Sequence, residues 1–99
     1  MFNKSEMKQI DRGYFIVQKE TLFHIQLKSK NTKHIWDIES QSIFHNKRSL
    51  VIYHKHNESD PFHAQPKFHP RTIIEAQEMI KSHDKWHLNG RNQHLPRDD

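Results

Sequence analysis

The chain has 99 residues, of which 32% are hydrophobic, and its 16 Lys and Arg against 12 Asp and Glu give a formal net charge of +4. A chain of this length builds one modest core, which argues against two separate folding units. The sequence contains no cysteine, so disulfides and thiolate zinc sites are both excluded.

Charge and hydropathy also bear on partners and compartment. Residues 1–50 carry the whole positive excess, and ten histidines can add further charge toward pH 6, so acidic partners are favoured. No apolar run reaches the roughly 18 residues of a membrane span. Residues 1–6 lack the apolar stretch of a secretory signal. We therefore expect a cytoplasmic protein with no membrane segment.

The first half of the chain has the pattern of short strands separated by polar turns. Residues 2–10 permit a short N-terminal helix, which ends at the turn-forming residues 11–13. Strands are predicted at residues 14–17, 22–28, 34–39 and 50–56, and residues 18–20 are predicted to form a turn. In the second strand, Phe23, Ile25 and Leu27 are expected on the buried face. Residues 40–48 fit either an extension of the third strand through a bulge or a loop.

The second half predicts a loop and then a helix. Residues 57–70 contain three prolines, which indicates a long loop. Thr72 and Glu75 fit a capping box that starts a helix, and Asn89-Gly90 supplies its end. On a helical wheel one face collects the apolar residues and two histidines. These residues are Ile73, Ala76, Met79, Ile80, His83, Trp86 and His87.

Together these elements predict an α+β fold. We expect a four-stranded antiparallel β-meander with one long C-terminal helix packed on one face. Residues 1–90 form the single domain, and residues 91–99 are predicted to be a flexible tail because they show no pattern.

Nucleic-acid binding is the leading functional hypothesis. Lysines cluster at a predicted hairpin tip, where ammonium groups can reach phosphates and release counterions. Further basic residues and histidines lie in a second connection and at the end of the fourth strand, and His24 is also placed to stack on bases. The predicted nucleic-acid-binding residues are Lys28, Lys30, Lys33, Lys47, Arg48, His54, Lys55 and His56. DNA and RNA are not distinguished.

A protein-binding role is the main alternative. Phe62 and Phe68 lie in the proline-marked loop, where exposed aromatic side chains can anchor an interface. Such a domain would be an adaptor or inhibitor of the type found among phage and mobile-element accessory proteins. The competing interpretation is that the two phenylalanines anchor the loop to the core.

Metal binding is a third hypothesis. His54 and His56 share one face of a strand, and His83 and His87 share one face of a helix, so each pair has a spacing that suits chelation. Four imidazole nitrogens would satisfy a tetrahedral zinc ion, with His63, His69 or Asp84 in reserve. A chain with ten histidines also produces such pairs by chance, so no cofactor is the primary expectation.

Catalysis is the least favoured class. The sequence gives no indication of Ser-His-Asp chemistry and contains no His-Glu-x-x-His motif, and two glycines do not make a phosphate-cradling loop. A single histidine can act as an acid or a base, but no nucleophile or orienting carboxylate is paired with it in the sequence. We therefore expect a non-enzymatic protein.

Overall fold

A computed structural model describes residues 2–40, 50–65 and 67–89. Within these ranges the chain forms two helices and five strands. In chain order they are α1 (Lys4–Met7), β1 (Phe15–Glu20), β2 (His24–Ser29), β3 (Ile35–Ser40), β4 (Leu50–Lys55), β5 (His63–Ala64) and α2 (Ile73–Asn89). No helix in these ranges is long and apolar enough to cross a membrane.

The strands form one antiparallel sheet in the order β1-β2-β3-β4-β5. Each strand pairs with the next in sequence, so the predicted meander is confirmed and so is the α+β class. Strand β5 was not predicted, because two residues inside a proline-marked loop are too few to show alternation. Its pairing is extended by Gln65, whose backbone N–H donates to the Ile52 carbonyl at 2.9 Å.

Two details at the β1–β2 edge differ from the sequence prediction. The segment 18–20 is not a turn but the end of β1, which passes through a register shift between Val17 and Lys19. These polar residues fit an edge strand that faces solvent. Phe23 lies outside β2 and is 55% exposed. The hydroxyl of Thr21 accepts hydrogen bonds from the backbone N–H groups of Phe23 and His24, so this segment forms a turn before the strand begins.

The core lies between one face of the sheet and helix α2. Aliphatic and aromatic side chains from the three central strands pack against the helix, and residues from the N-terminal segment close one side. The buried cluster comprises Phe2, Ile10, Phe15, Ile25, Leu27, Trp36, Ile38, Leu50, Ile52, Ile73, Ala76 and Ile80. Full burial of one large apolar side chain contributes about 1.5–3 kcal/mol. Packing of this core therefore holds α2 against the sheet.

Helix α2 follows the predicted face with two additions. Ile73, Ala76 and Ile80 are buried as expected, but Gln77 and Asp84 are buried as well. The Thr72 hydroxyl accepts from the Glu75 backbone N–H at 3.0 Å, as a capping residue should. The Glu75 carboxylate instead accepts from the backbone N–H of Arg71, one residue earlier than a capping box requires.

Three sequence predictions fall on residues outside the described ranges. Residues 41–49, with Lys47 and Arg48, hold most of the segment interpreted as a bulge or a loop. Gly90, the predicted helix stop, and the tail 91–99 also lie outside. The described part of α2 runs to Asn89.

We expect Thr72→Ala to lower the free energy of unfolding by about 1 kcal/mol, because the Glu75 N–H loses its capping acceptor. Urea denaturation measures the change. Ser82→Ala, at an exposed position within the same helix, is the matched control and should change stability by no more than about 0.5 kcal/mol. Equal stabilities for the two variants would contradict the capping role.

Candidate metal centre

The inner face of strand β4 changes from aliphatic to imidazole along its length. Leu50 and Ile52 are buried in the core, and His54 is buried beyond them, with 3% exposure. Because side chains alternate along a strand, His56, just past the strand end, lies on the same face at the rim. The inner face of β4 is therefore aliphatic at its start and presents two histidines at its end.

The hairpin that leads into strand β3 brings a third histidine to the same place. Trp36 pairs with His54, so His34 lies two residues before Trp36 on the same face and opposite His56. The rings of His34 and His56 stack, with centroids 4.3 Å apart and planes within 10°. Lys33 has a left-handed backbone, with φ of 66°, where the hairpin turns into β3. This turn sets where His34 enters the sheet.

Helix α2 supplies two more imidazoles one turn apart. The ring of His83 lies 4.9 Å from that of His54, and the ring of His87 lies 4.3 Å from that of His34, measured between centroids. His56 and His87 are 5.4 Å apart on the same measure. The imidazole cluster is defined here as His34, His54, His56, His83 and His87. The four histidines of the metal hypothesis are thus brought together, and His34 joins them.

The ring nitrogens of the cluster lie at distances that suit a metal ion. The Nδ1 atom of His34 and the Nε2 atom of His54 are 3.0 Å apart. His34, His54 and His56 each offer one nitrogen, and these three atoms lie within 4.8 Å of one another. Zinc–nitrogen bonds of 2.0–2.1 Å in a tetrahedron place neighbouring nitrogens about 3.3 Å apart. The 3.0 Å separation of the His34 and His54 nitrogens is close to this spacing.

His54 is held in the protonation state that binds metals. Burial is the main cause that lowers the pKa of His54 to about 2, and the neighbouring imidazoles of the cluster add to the effect. Neutral imidazole is the form that ligates metal ions, because its free nitrogen keeps a lone pair. His54 therefore does not have to lose a proton before it binds a metal at neutral pH.

A buried carboxylate lies beside the cluster. Asp84 is 0% exposed and accepts hydrogen bonds from three hydroxyl groups. The donors are Tyr14 at 2.7 Å, Ser29 at 2.6 Å and Thr32 at 3.1 Å. Burial and then the hydrogen bond to Asp84 raise the pKa of Tyr14 to about 12, so its phenol keeps the donated proton. Asp84 thus joins α2 to the sheet edge next to the imidazoles.

Asp84 adds negative charge to this end of the core. Among the residues that the structure describes, no Lys or Arg forms an ion pair with it. One of its oxygens lies within 4.8 Å of ring nitrogens of both His34 and His83. The three hydroxyl donors compensate the burial of this carboxylate, and a cation bound to these histidines would lie close to it.

A pocket of about 220 Å³ opens beside the cluster, lined by His54, Lys55, His56, Asp60, His63 and Gln65. His63 pairs directly with His54 across strands β4 and β5. Residues paired in this way project from the same face of a sheet. The pocket is therefore continuous with the rim of the imidazole cluster.

The predicted nucleic-acid-binding residues do not form one free basic surface. Lys28 is 26% exposed and its ammonium lies 3.7 Å from the Glu58 carboxylate. The Lys55 ammonium donates to the Glu58 carbonyl and lies over the Phe62 ring. Lys30 donates to the Arg12 carbonyl, and Lys33 is exposed in the hairpin. Lys47 and Arg48 lie outside the described ranges, and His54 is buried rather than available to a partner.

The other predicted contact residues are partly engaged with their own chain. Phe68 packs against the hydrophobic core, and Phe62 is half-buried. Trp86 is also half-buried near the end of α2. His24, on the outer face of the sheet, lies 3.5 Å from the Asp37 carboxylate and 4.0 Å from that of Glu39. This part of the outer face is therefore acidic.

From the sequence alone, His34 was missed as a residue of the site and Asp84 was not expected to be buried. The alternation around Trp36 placed His34 on one face of a strand, but nothing local connects it to residues 54 or 83. Asp84 was held in reserve as a ligand, and its burial was not predicted. The spacing of Ile73, Gln77, Ile80 and Asp84 along one helix face was the available signal.

Comparison with known proteins gives no match. No family model, no curated protein and no solved structure matches the chain. The inference of function therefore rests on the geometry of the site.

We expect the metal-free protein to lose stability as the pH falls from about 7.5 to about 5.5. The unfolded chain binds a proton on His54 near its ordinary pKa of ~6.5, whereas the folded chain does not, so acid favours unfolding. This single group contributes up to about 1.4 kcal/mol per pH unit below that pKa. Urea denaturation in a chelating buffer measures it. In His54→Phe the free energy of unfolding should depend less steeply on pH, and in His69→Ala it should depend on pH as in the unaltered chain. Equal slopes in the two variants and the unaltered chain would contradict the assignment of this dependence to His54.

We expect Asp84→Ala to lower the free energy of unfolding by about 3 kcal/mol or more, because three hydroxyl donors lose their acceptor. Asp84→Asn keeps one acceptor oxygen, so its free energy of unfolding should lie between those of the unaltered chain and of Asp84→Ala. Glu78→Ala, at an exposed position on the same helix, is the control, with a change within about 0.5 kcal/mol. A fully stable Asp84→Ala variant would contradict the anchoring role.

Proposed function

We propose that the protein is a metal-binding domain that holds one divalent transition-metal ion through imidazole nitrogens. The observation that supports this most directly is the approach of the His34, His54 and His56 nitrogens to within 4.8 Å of one another. His54 lies in β4, His56 just past its end and His34 in the hairpin before β3. The helix adds His83 and His87 beside them.

Ligand chemistry narrows the choice of ion. Imidazole suits zinc, copper, nickel and iron, whereas magnesium and calcium prefer oxygen ligands. Three histidine ligands with a fourth position left open are typical of zinc sites that bind an exogenous ligand. We therefore take zinc as the working ion, with His34, His54 and His56 as its ligands.

Binding requires one rearrangement of protons. The contact between His34 Nδ1 and His54 Nε2 accommodates a single hydrogen between the two atoms, since one ring donates and the other accepts. With an ion present, both nitrogens must offer lone pairs. The hydrogen then belongs on the other nitrogen of the donating ring, a change of tautomer that leaves the ring neutral.

Asp84 supports the site from outside the ligand set. Its oxygens already accept from three hydroxyl groups, so its role is to supply charge rather than to bind the ion directly. One of its oxygens lies within 4.8 Å of ring nitrogens of His34 and His83. The negative charge of Asp84 offsets part of the charge that the ion brings into the core.

The nucleic-acid and protein-binding hypotheses stay predictions. Lys28 and Lys55 are both engaged by Glu58, which leaves Lys33 as the freest of the described lysines predicted to contact phosphates. Phe62 and Phe68 are at most half-exposed. These observations favour the metal hypothesis over the other two.

Zinc titration of the metal-free protein tests the proposal. We expect one ion per chain by native mass spectrometry and isothermal titration calorimetry, and a rise in stability of about 2.7 kcal/mol at a free zinc concentration a hundred times the dissociation constant. Cobalt substitution should give the visible absorption of a four-coordinate ion. His56→Ala, which removes a ligand at the exposed rim, should weaken zinc binding by more than about a hundredfold.

The controls separate the cluster from histidine content in general. His69→Ala removes an exposed imidazole outside the cluster and should leave zinc affinity unchanged. His24→Ala removes the imidazole of a second group that could hold a metal ion, with Asp37 and Glu39, and should also leave the affinity unchanged if the cluster is the site. Absence of stoichiometric zinc binding would overturn the proposal, and so would a His56→Ala variant that binds zinc as tightly as the unaltered chain.

A further inference from the structure

We propose a second metal site on the outer face of the sheet, formed by His24, Asp37 and Glu39. Each of these residues offers one ligand atom, and the three atoms lie within 4.8 Å of one another. Their side chains alternate with the buried residues of β2 and β3, so they project from the face of the sheet opposite helix α2. The site is therefore separate from the imidazole cluster and does not depend on the function proposed for it.

Strand pairing holds the three side chains next to one another. His24 lies directly opposite Glu39 in the pairing of β2 with β3. Asp37 lies two residues before Glu39 on the same strand, so its side chain shares that face. Strand β3 is the middle strand of the five. Backbone hydrogen bonds to β2 and β4 therefore fix the two carboxylates from both sides.

The distances within this group resemble those between neighbouring ligands of a metal ion. The Nδ1 atom of His24 lies 3.5 Å from Oδ2 of Asp37 and 4.0 Å from Oε2 of Glu39. Tetrahedral zinc with bonds of about 2.0–2.2 Å to nitrogen and oxygen has neighbouring ligand atoms roughly 3.3–3.6 Å apart. The first distance falls within this range and the second lies just above it.

One oxygen of Asp37 has no partner within the described part of the chain. Its Oδ1 atom is buried and accepts no hydrogen bond there, and the whole side chain is only 16% exposed. Among the same residues, neither Asp37 nor Glu39 forms an ion pair with a lysine or an arginine, and Lys28 on the same face is paired with Glu58. A buried carboxylate oxygen costs free energy unless it is hydrogen-bonded or coordinates a metal. A cation at this site would supply the missing partner.

The ligand set indicates a divalent transition-metal ion. Two carboxylates and one imidazole combine the oxygen ligands that suit manganese with the nitrogen ligand that suits iron and zinc. Magnesium and calcium, in contrast, take oxygen ligands. Manganese is the chosen probe because it has an electron paramagnetic resonance signal. It stands lowest in the affinity order of these metals, so we expect it to bind here more weakly than zinc binds to the imidazole cluster.

The test titrates manganese into the full chain loaded with one equivalent of zinc. The resonance signal of free aqueous manganese should fall until one ion is bound per chain. Coupling to an imidazole nitrogen should appear in the electron spin echo of the bound ion. Magnesium in roughly tenfold excess should leave the manganese bound, because magnesium prefers oxygen ligands. Displacement of manganese by an equal concentration of magnesium would show that the carboxylates bind without the imidazole and would overturn the proposal.

Matched variants locate the manganese ion. His24→Ala, Asp37→Asn and Glu39→Gln each remove one ligand, so each should weaken manganese binding by at least about tenfold. Glu58→Gln removes an exposed carboxylate outside the site and should leave the manganese affinity unchanged. Circular dichroism checks that each variant is folded. Manganese binding that neither His24→Ala nor Glu39→Gln weakens would overturn the proposal.

His56→Ala separates the two metal sites. It removes a proposed zinc ligand, and in a titration without zinc it should bind manganese as the unaltered chain does. Loss of manganese binding in this variant would place the ion in the imidazole cluster and overturn the present proposal. Absence of saturable manganese binding in the unaltered chain would also overturn it, and the zinc proposal would stand.

Discussion

The buried carboxylate of Asp84 is the interaction on which the polar end of this fold depends. It accepts from Tyr14, Ser29 and Thr32, which lie before β1, at the end of β2 and in the following hairpin. Removal of one partner from a buried network leaves the others unsatisfied, so the network fixes how helix α2 sits on the sheet. His83 and His87 are on that part of the helix. Their positions over His34 and His54 follow from this anchor.

The sequence was sufficient to predict the meander and the helix, because local periodicity of apolar residues indicates both. It was not sufficient for the site, which depends on contacts between distant segments. His54 and His56 were recognised as a pair, and so were His83 and His87, but their meeting is set by packing of α2 on β4. Strand β5 exists through its pairing with β4, and no alternation of its own could have revealed it.

The availability of basic side chains was the property least predictable from the sequence. The stretch around Lys28 contains no acid, which suggested a free basic surface. Glu58, thirty residues along the chain, nevertheless lies 3.7 Å from the Lys28 ammonium and also accepts from Gln18. The outer face of the sheet is therefore a network of paired side chains. Net charge describes the attraction of a chain for polyanions, whereas the pairing of individual charges decides which surface is available.

The two ends of the core have different physical roles. The aliphatic end, with Ile38, Ile52 and Ile73, provides packing that is stable without any ligand. The imidazole end gains little from burial, because each ring brings polar nitrogens out of water. Apolar residues of similar volume would make this end at least as stable, as they often do when they replace buried polar groups. The buried His34 and His54 make this end of the core less stable than apolar residues would. A bound cation that uses their lone pairs would offset that loss of stability.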